Sequence, residues 1–121
     1  MSSTRQVDKP WGREVIWAET DRYVGKILVI RKGQRLSLQY HQVKEETLFV
    51  EAGRIRCESG PQGGPLTATV LDAGDVLHVP PGLRHRLEAL EEARVFEVST
   101  PEIDDVVREV DDFGRAGTSM P

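Results

Sequence analysis

Turn-forming residues interrupt this chain at short intervals. Its 11 glycines and 7 prolines fall between apolar runs of strand length and not at one boundary, which favours many strands joined by turns. REVIWAE (13–19), RYVGKILVI (22–30), RLSLQY (35–40), ETLFVEA (46–52) and GRIRCE (53–58) are rich in β-branched, aromatic or alternating residues. Beyond the loop SGPQGGP (59–65), LTATVLD, DVLHVP, HRLEAL and ARVFEVS continue the pattern, with AGD and PPG as turns. The pattern predicts an all-β domain of roughly nine strands. One segment departs from it: in IDDVVREVDDFGR (103–115), Ile103, Val106, Val107 and Val110 recur at helical spacing behind Thr100-Pro101, which predicts a short C-terminal helix.

A length of 121 residues suits one domain, residues 1–121. The expected core covers about 9–115, with flexible termini at 1–8 and 116–121. Many short strands with frequent turns indicate a sandwich or barrel, and a small barrel holds one ligand in its mouth. Sixteen Lys and Arg against twenty Asp and Glu leave a formal charge of −4, which disfavours nucleic acid and anionic membranes as partners and points to a small molecule. The start MSSTRQVDKPWG lacks a secretory h-region, and YVGKILVI, the most apolar stretch, contains a lysine and ends at Arg31. The single Cys57 allows no internal disulfide. A cytoplasmic protein is expected, with Cys57 as a small buried residue and Trp11 and Trp17 as packing residues.

Alternation from Leu36 to His41 places Ser37, Gln39 and His41 on one strand face. Glu46 follows five residues later, where a turn through Lys44 and Glu45 brings its carboxylate back beside His41. His85 follows AGDVLHVPPG, whose prolines and Gly82 make a rigid corner able to aim a side chain into a cavity. One amide oxygen, two imidazoles and one carboxylate form a mixed N/O set suited to one borderline divalent ion per chain, zinc first, with Mn, Fe, Co or Ni as alternatives.

Gly33, Gln39, His41, Glu46 and Gly53, followed by Gly74, Pro80, Gly82 and His85, resemble the two motifs of the cupin superfamily. Gln39 stands at the first histidine of the first motif, and Ala89 at the final asparagine of the second. The resemblance implies a small jelly-roll cupin β-barrel. KPWG (9–12), KILVIRKGQRLSLQYH (26–41), GDVLHVPPGLRHRLEA (74–89), FEVST (96–100) and DDVVREVDDFGR (104–115) are similar to the cupin domain of type II phosphomannose isomerases. Those domains occur fused to mannose-1-phosphate guanylyltransferase or as standalone chains, and glutamine replaces the first cupin histidine in them. The resemblance implies Gln39, His41, Glu46 and His85 as metal ligands, mannose 6-phosphate or a similar sugar phosphate as substrate, and a homodimer.

Aldose-ketose isomerisation needs a proton moved between adjacent carbons through an enediolate, and so a base beside a Lewis acid. Glu97 alternates with Val95 and Ser99 and is the first candidate base; it could instead be a rim carboxylate paired with Arg86 or Arg94. Lys44 stands where the family resemblance implies a catalytic arginine. Arg86, Arg35 and Ser37 are the candidate substrate-binding residues, although strand parity turns Arg86 outward if His85 faces in, unless a bulge intervenes. Lys26 faces either the cavity or a solvated edge. His78 reads as a packed imidazole. The alternative to an isomerase is a metal-containing carbohydrate-binding or sensor cupin without chemistry. An iron oxygenase built on two His and one carboxylate is disfavoured by Gln39 as a fourth ligand.

Overall fold

A computed structural model describes residues 3–118. The strands are β1 (Arg5–Lys9), β2 (Gly12–Glu19), β3 (Val24–Ile30), β4 (Leu38–Tyr40), β5 (Glu46–Gly60), β6 (Thr67–Asp72), β7 (Val76–Val79), β8 (Arg84–Ser99), β9 (Val107–Val110) and β10 (Gly117–Thr118). All named pairings are antiparallel.

The two longest strands organise the rest. β5 and β8 pair along nearly their whole length, from Glu46↔Ser99 to Gly60↔Arg84. The C-terminal half of β8 also pairs with β3, which carries β2 and then β1. Its N-terminal half pairs with β4, which carries β9 and β10. One ribbon therefore belongs to two leaves, and the cavity described below is lined from both. The bend lies where the β5–β8 register shifts, between Val50 and Ile55. Gly53 sits there with φ 87°, and a Cβ at this position would run into the carbonyl oxygen of Glu92; only glycine combines that conformation with such a close approach.

Apolar residues on the inner faces close one end of the barrel. Trp11, Leu28, Ile30, Leu48, Val50, Ile55, Leu87 and Val95 are all buried in one cluster, and Cys57 lies among them, its thiol pushed up to about 11 by burial. The Trp17 ring is half exposed and lies over Gly25.

Two expectations are corrected. The short C-terminal helix does not form: residues 103–106 make tight turns and Val107–Val110 is strand β9. The edge of β4 takes up this segment, pairing Leu38↔Val110 and Gln39↔Arg108, so tertiary pairing overrides a 3.6-residue spacing of β-branched residues. Within the segments expected to be flexible, Arg5–Lys9 forms β1 on the edge of β2 and Gly117–Thr118 forms β10 on the edge of β9; residues 1–2 and 119–121 lie outside the described residues. Finally, 46–52 and 53–58, like 85–90 and 93–99, are not separate strands but continuous ones bent at a bulge. No helix of the described residues is long and apolar enough to cross a membrane.

Candidate metal centre

His41, Glu46 and His85 are each buried, and their ligand atoms lie within 4.8 Å of one another. His41 follows β4, Glu46 opens β5 and His85 lies near the start of β8, opposite Gln39 in register. The Gly82 amide donates to the His41 carbonyl at 2.7 Å, so the proline corner is tied to the loop that carries the first imidazole. Both rings are oriented from behind. His41 Nδ1 lies 2.6 Å from the Asp105 carbonyl oxygen, and His85 Nδ1 lies 2.9 Å from that of Leu83. A carbonyl only accepts, so each Nδ1 carries the hydrogen and each Nε2 of the neutral ring presents a lone pair.

Those lone pairs converge on Glu46 Oε1, at 3.3 Å from His41 Nε2 and 3.2 Å from His85 Nε2. With neutral rings, acceptors face an acceptor there, and His85 Nε2 is buried without a hydrogen-bond partner. A divalent cation resolves that conflict, and imidazoles fixed through the distal nitrogen are what such an ion selects. The residues therefore fit a metal. Gln39 lines the same cavity, and its Oε1 accepts from Ser37 Oγ at 2.8 Å; this oxygen is the further donor available to an ion.

A second charged layer lies against the first. Lys44 Nζ is 3.2 Å from Glu46 Oε2 and 3.0 Å from Glu97 Oε2, with all three side chains about 95% buried or more. Lys26, also buried, reaches Glu14 at 3.2 Å and Glu97 at 3.9 Å. Its place in the cavity settles the alternative of a solvated edge. Glu97 Oε2 has the Lys44 charge beside it but no donor in hydrogen-bonding alignment. Burial, reinforced by the Glu46 charge, raises the Glu97 carboxyl above the usual range, with Lys26 and Lys44 opposing. Burial pushes Glu46 the same way, but the two imidazoles that face its carboxylate and the Lys44 charge outweigh it and hold Glu46 well below that range. Burial acts to lower Lys44; the Glu97 and Glu46 charges overcome it and raise the ammonium.

The cavity measures about 470 Å³, the size of a small-molecule site. Ser37, Gln39, His41, Lys44, Glu46, His85, Arg86 and Glu97 all border it. Arg86 has the outward parity, as alternation requires, yet it is buried under the C-terminal segment. Its Nε donates to the Leu36 carbonyl at 2.8 Å and its guanidinium meets Asp112 at 2.8 Å. Arg35 is the candidate that the fold does not bring to the cavity. It is clamped by Asp112 at 2.6 Å and 3.0 Å, on the surface. His78 is also corrected: it is exposed and pairs with Glu45 at 2.6 Å.

Asp105 was hidden in the expected helix and has a structural role at the site. Its carboxylate accepts the amides of Gln42, Val43 and Lys44 at 2.7–3.0 Å, while its carbonyl orients His41. Burial would raise it, but those three amides hold its carboxyl below the ordinary value of 3.8. One acid among several in IDDVVREVDD gives no sequence signal of this. Glu14 and Arg108 were missed for a related reason, since only pairing with distant strands turns them into the cavity.

Residues 26–99, more than half of the chain, match the family model described as a cupin domain. The chain belongs to the cupin family. This cupin is 31% identical over 116 residues to the mannose-1-phosphate guanylyltransferase ManC of Salmonella typhimurium, and 32% identical over 116 residues to the mannose-1-phosphate guanylyltransferase of Escherichia coli K12. In both cases 92% of this chain is covered, and the cupin spans only 23% of the relative's length. Among solved structures, KdgF from Halomonas sp. superposes with a TM-score of 0.72 at 22% identity, covering 83% of this chain and 88% of that one. Oxalate decarboxylase from Bacillus subtilis gives 0.74 at 18% identity, covering 87% of this chain and 30% of that one. At those identities the superpositions speak for the fold alone.

Proposed function

We propose that this cupin is a metal-dependent sugar-phosphate isomerase that interconverts mannose 6-phosphate and fructose 6-phosphate. The observation that carries the reading is a buried carboxylate of raised basicity, Glu97, in the same cavity as a His-Glu-His cluster whose lone pairs converge. The mannose-linked names of the relatives support mannose 6-phosphate as the sugar. His41, Glu46 and His85, with Gln39 Oε1 as a further donor, would hold the ion, zinc first. A bound divalent ion supplies Lewis acidity that stabilises negative charge developing on the sugar oxygens.

Glu97 takes the proton from carbon 2 of the aldose. The electron pair left behind forms the carbon 1–carbon 2 double bond of the enediolate as the carbonyl pair moves onto oxygen 1; the proton of the carbon 2 hydroxyl then passes to oxygen 1, carbon 2 becomes the carbonyl, and Glu97 returns its proton to carbon 1. Its raised pKa makes it a stronger base than an ordinary carboxylate while its charge is screened by Lys44 and Lys26. Lys44 lies between the ligand Glu46 and the base Glu97, so it fixes their separation and balances their charge. In place of a planar guanidinium it offers one ammonium, already held by two carboxylates. That full engagement favours the second reading, a carbohydrate-binding or sensor cupin with the ligands and no turnover.

Zinc-loaded protein incubated with mannose 6-phosphate in deuterated water separates the two. Fructose 6-phosphate formation with deuterium entering at the exchanged carbon is expected, falling at least 100-fold in Glu97→Gln with metal content unchanged. Sugar binding without turnover or exchange would establish the second reading. The exposed Phe49, Phe96 and Val98 on the outer face of the β5–β8 ribbon support a homodimer, to be checked by light scattering. A single buried thiol fits a cytoplasmic setting.

A further inference from the structure

Seven lysines and arginines border the cavity against five carboxylates, in a protein whose formal charge is −4. Most of these cations are neutralised locally: Arg5 by Glu19, Lys26 by Glu14, Lys44 by Glu46 and Glu97, Arg86 by Asp112, Arg115 by Asp111. Among the described residues, Lys9 and Arg108 have neither a salt bridge nor a side-chain hydrogen bond. Arg108 is only 7% exposed, and a guanidinium that cannot shed its proton is costly to enclose without a counter-charge. Asp104, the cavity carboxylate without an ion-pair partner among the described residues, is exposed.

Register fixes where this charge lies. Gln39 pairs with Arg108 on one side and with His85 on the other, so the three residues form one row across β9, β4 and β8. Strand spacing places the Arg108 backbone about 10 Å from that of His85, a hexose-sized separation. Lys9 ends β1 on the other leaf and borders the same cavity. Burial weakens the basicity of both groups; for Arg108 the Arg115 charge adds to it against Asp111 and Glu14, and for Lys9 the charges of Lys26, Arg108 and Arg115 add to it against Glu14. The three cations from the two chain ends therefore repel one another across one space.

We infer that Arg108 and Lys9, with Arg115 behind them, form the subsite for the phosphate of the substrate, opposite the His41–Glu46–His85 cluster. A phosphate dianion supplies the two charges this pair lacks, and Arg108 offers it a planar fork of donors. The inference deepens the isomerase reading and shares its cavity, but it stands on binding, not on turnover. It also replaces Arg35, which Asp112 already holds.

The test is binding of inorganic phosphate, then of mannose 6-phosphate, mannose and galacturonate, to the zinc-loaded full chain by calorimetry. Phosphate and mannose 6-phosphate are expected to bind, at least tenfold more weakly in Arg108→Gln and several-fold more weakly in Lys9→Gln. Arg54→Gln, which removes a surface arginine paired with Asp72, should bind like the wild type. Lys9 is only half-buried on an edge strand, so its variant keeps the test open if Arg108→Gln does not fold. Equal phosphate affinity in the wild type and in each Arg108 or Lys9 variant that folds, or no phosphate binding by the wild type, overturns the subsite. So does Arg108-dependent binding of galacturonate as tight as that of mannose 6-phosphate, which would make it a carboxylate site. Arg108-dependent phosphate binding without isomerisation would instead refute the isomerase and leave the subsite standing.

Discussion

β8 and the C-terminal strap, residues 100–115, border the same cavity from two sides. β8 brings His85 and Glu97 to it while lying between partner strands along most of its length, and Leu87, Ala89, Ala93 and Val95 anchor its inner face in the core. The strap brings Val106 and Arg108 to the cavity but has only the four residues of β9 in a ladder. What fastens it is three carboxylates. Asp105 takes three amides of the 42–44 turn, Glu109 takes Arg84, and Asp112 takes Arg35 and Arg86, while Asp111 folds the end of the strap on itself through Arg115. Burial of apolar surface is insensitive to pH and salt, whereas charge-assisted hydrogen bonds are sensitive to both. One wall of the site is therefore permanent and the other conditional.

The largest effect should come from β8. Leu87→Ala opens a cavity in the core and is expected to cost about 2–5 kcal/mol, read as a lowered urea midpoint with an unchanged m-value. A drop below about 1 kcal/mol would show that the two walls do not differ in kind. Asp105→Ala should cost less, roughly 1–3 kcal/mol, because three amides lose a charged acceptor but regain water. Its mark is local: hydrogen exchange at Gln42, Val43 and Lys44 should accelerate, and the core of β8 should stay protected.

Acid should separate the walls without mutation. Asp105 and Asp111 are both held below the ordinary 3.8 in the fold, so their stabilisation is complete above that value and is lost as pH falls through their folded values. Glu97 on β8 has the opposite sign. Its raised folded value favours the neutral form, a contribution present in acid and lost as pH rises through that value. Exchange measured down a pH series should free the strap amides before those of Leu87 to Val95; simultaneous loss would contradict the comparison. The smallest effect is expected at Arg35→Gln. This exposed partner of Asp112 should contribute under about 1 kcal/mol and fade in high salt, as a thermal melt would show.

The same division governs what could be read in advance. Alternation along 85–99 places His85 and Glu97 on the side that the barrel buries, because the odd-numbered positions of β8 are the buried ones on both sides of its bend. The motif spacing brings Gln39, His41 and Glu46 to one place, since a short turn separates them. Nothing of that sort marks the strap. Val106, Val107 and Val110 fit helical spacing as well as they fit a strand beside β4, and the choice is made by an edge seventy residues away. The roles of Asp105 and Asp112 depend on donors brought by distant turns and strands, which no local pattern encodes. Arg86 illustrates the limit: parity gives its face correctly, and only the strap decides that this face is covered.

The hydrogen bond from His41 Nδ1 to the Asp105 carbonyl joins the conditional wall to the His41–Glu46–His85 cluster through a single ring. Occupancy of the cluster and ordering of the strap are thereby linked equilibria, and linkage is reciprocal: whatever free energy an ordered strap lends to ion binding, a bound ion returns to the strap. A titration of either one is then a measurement of the other.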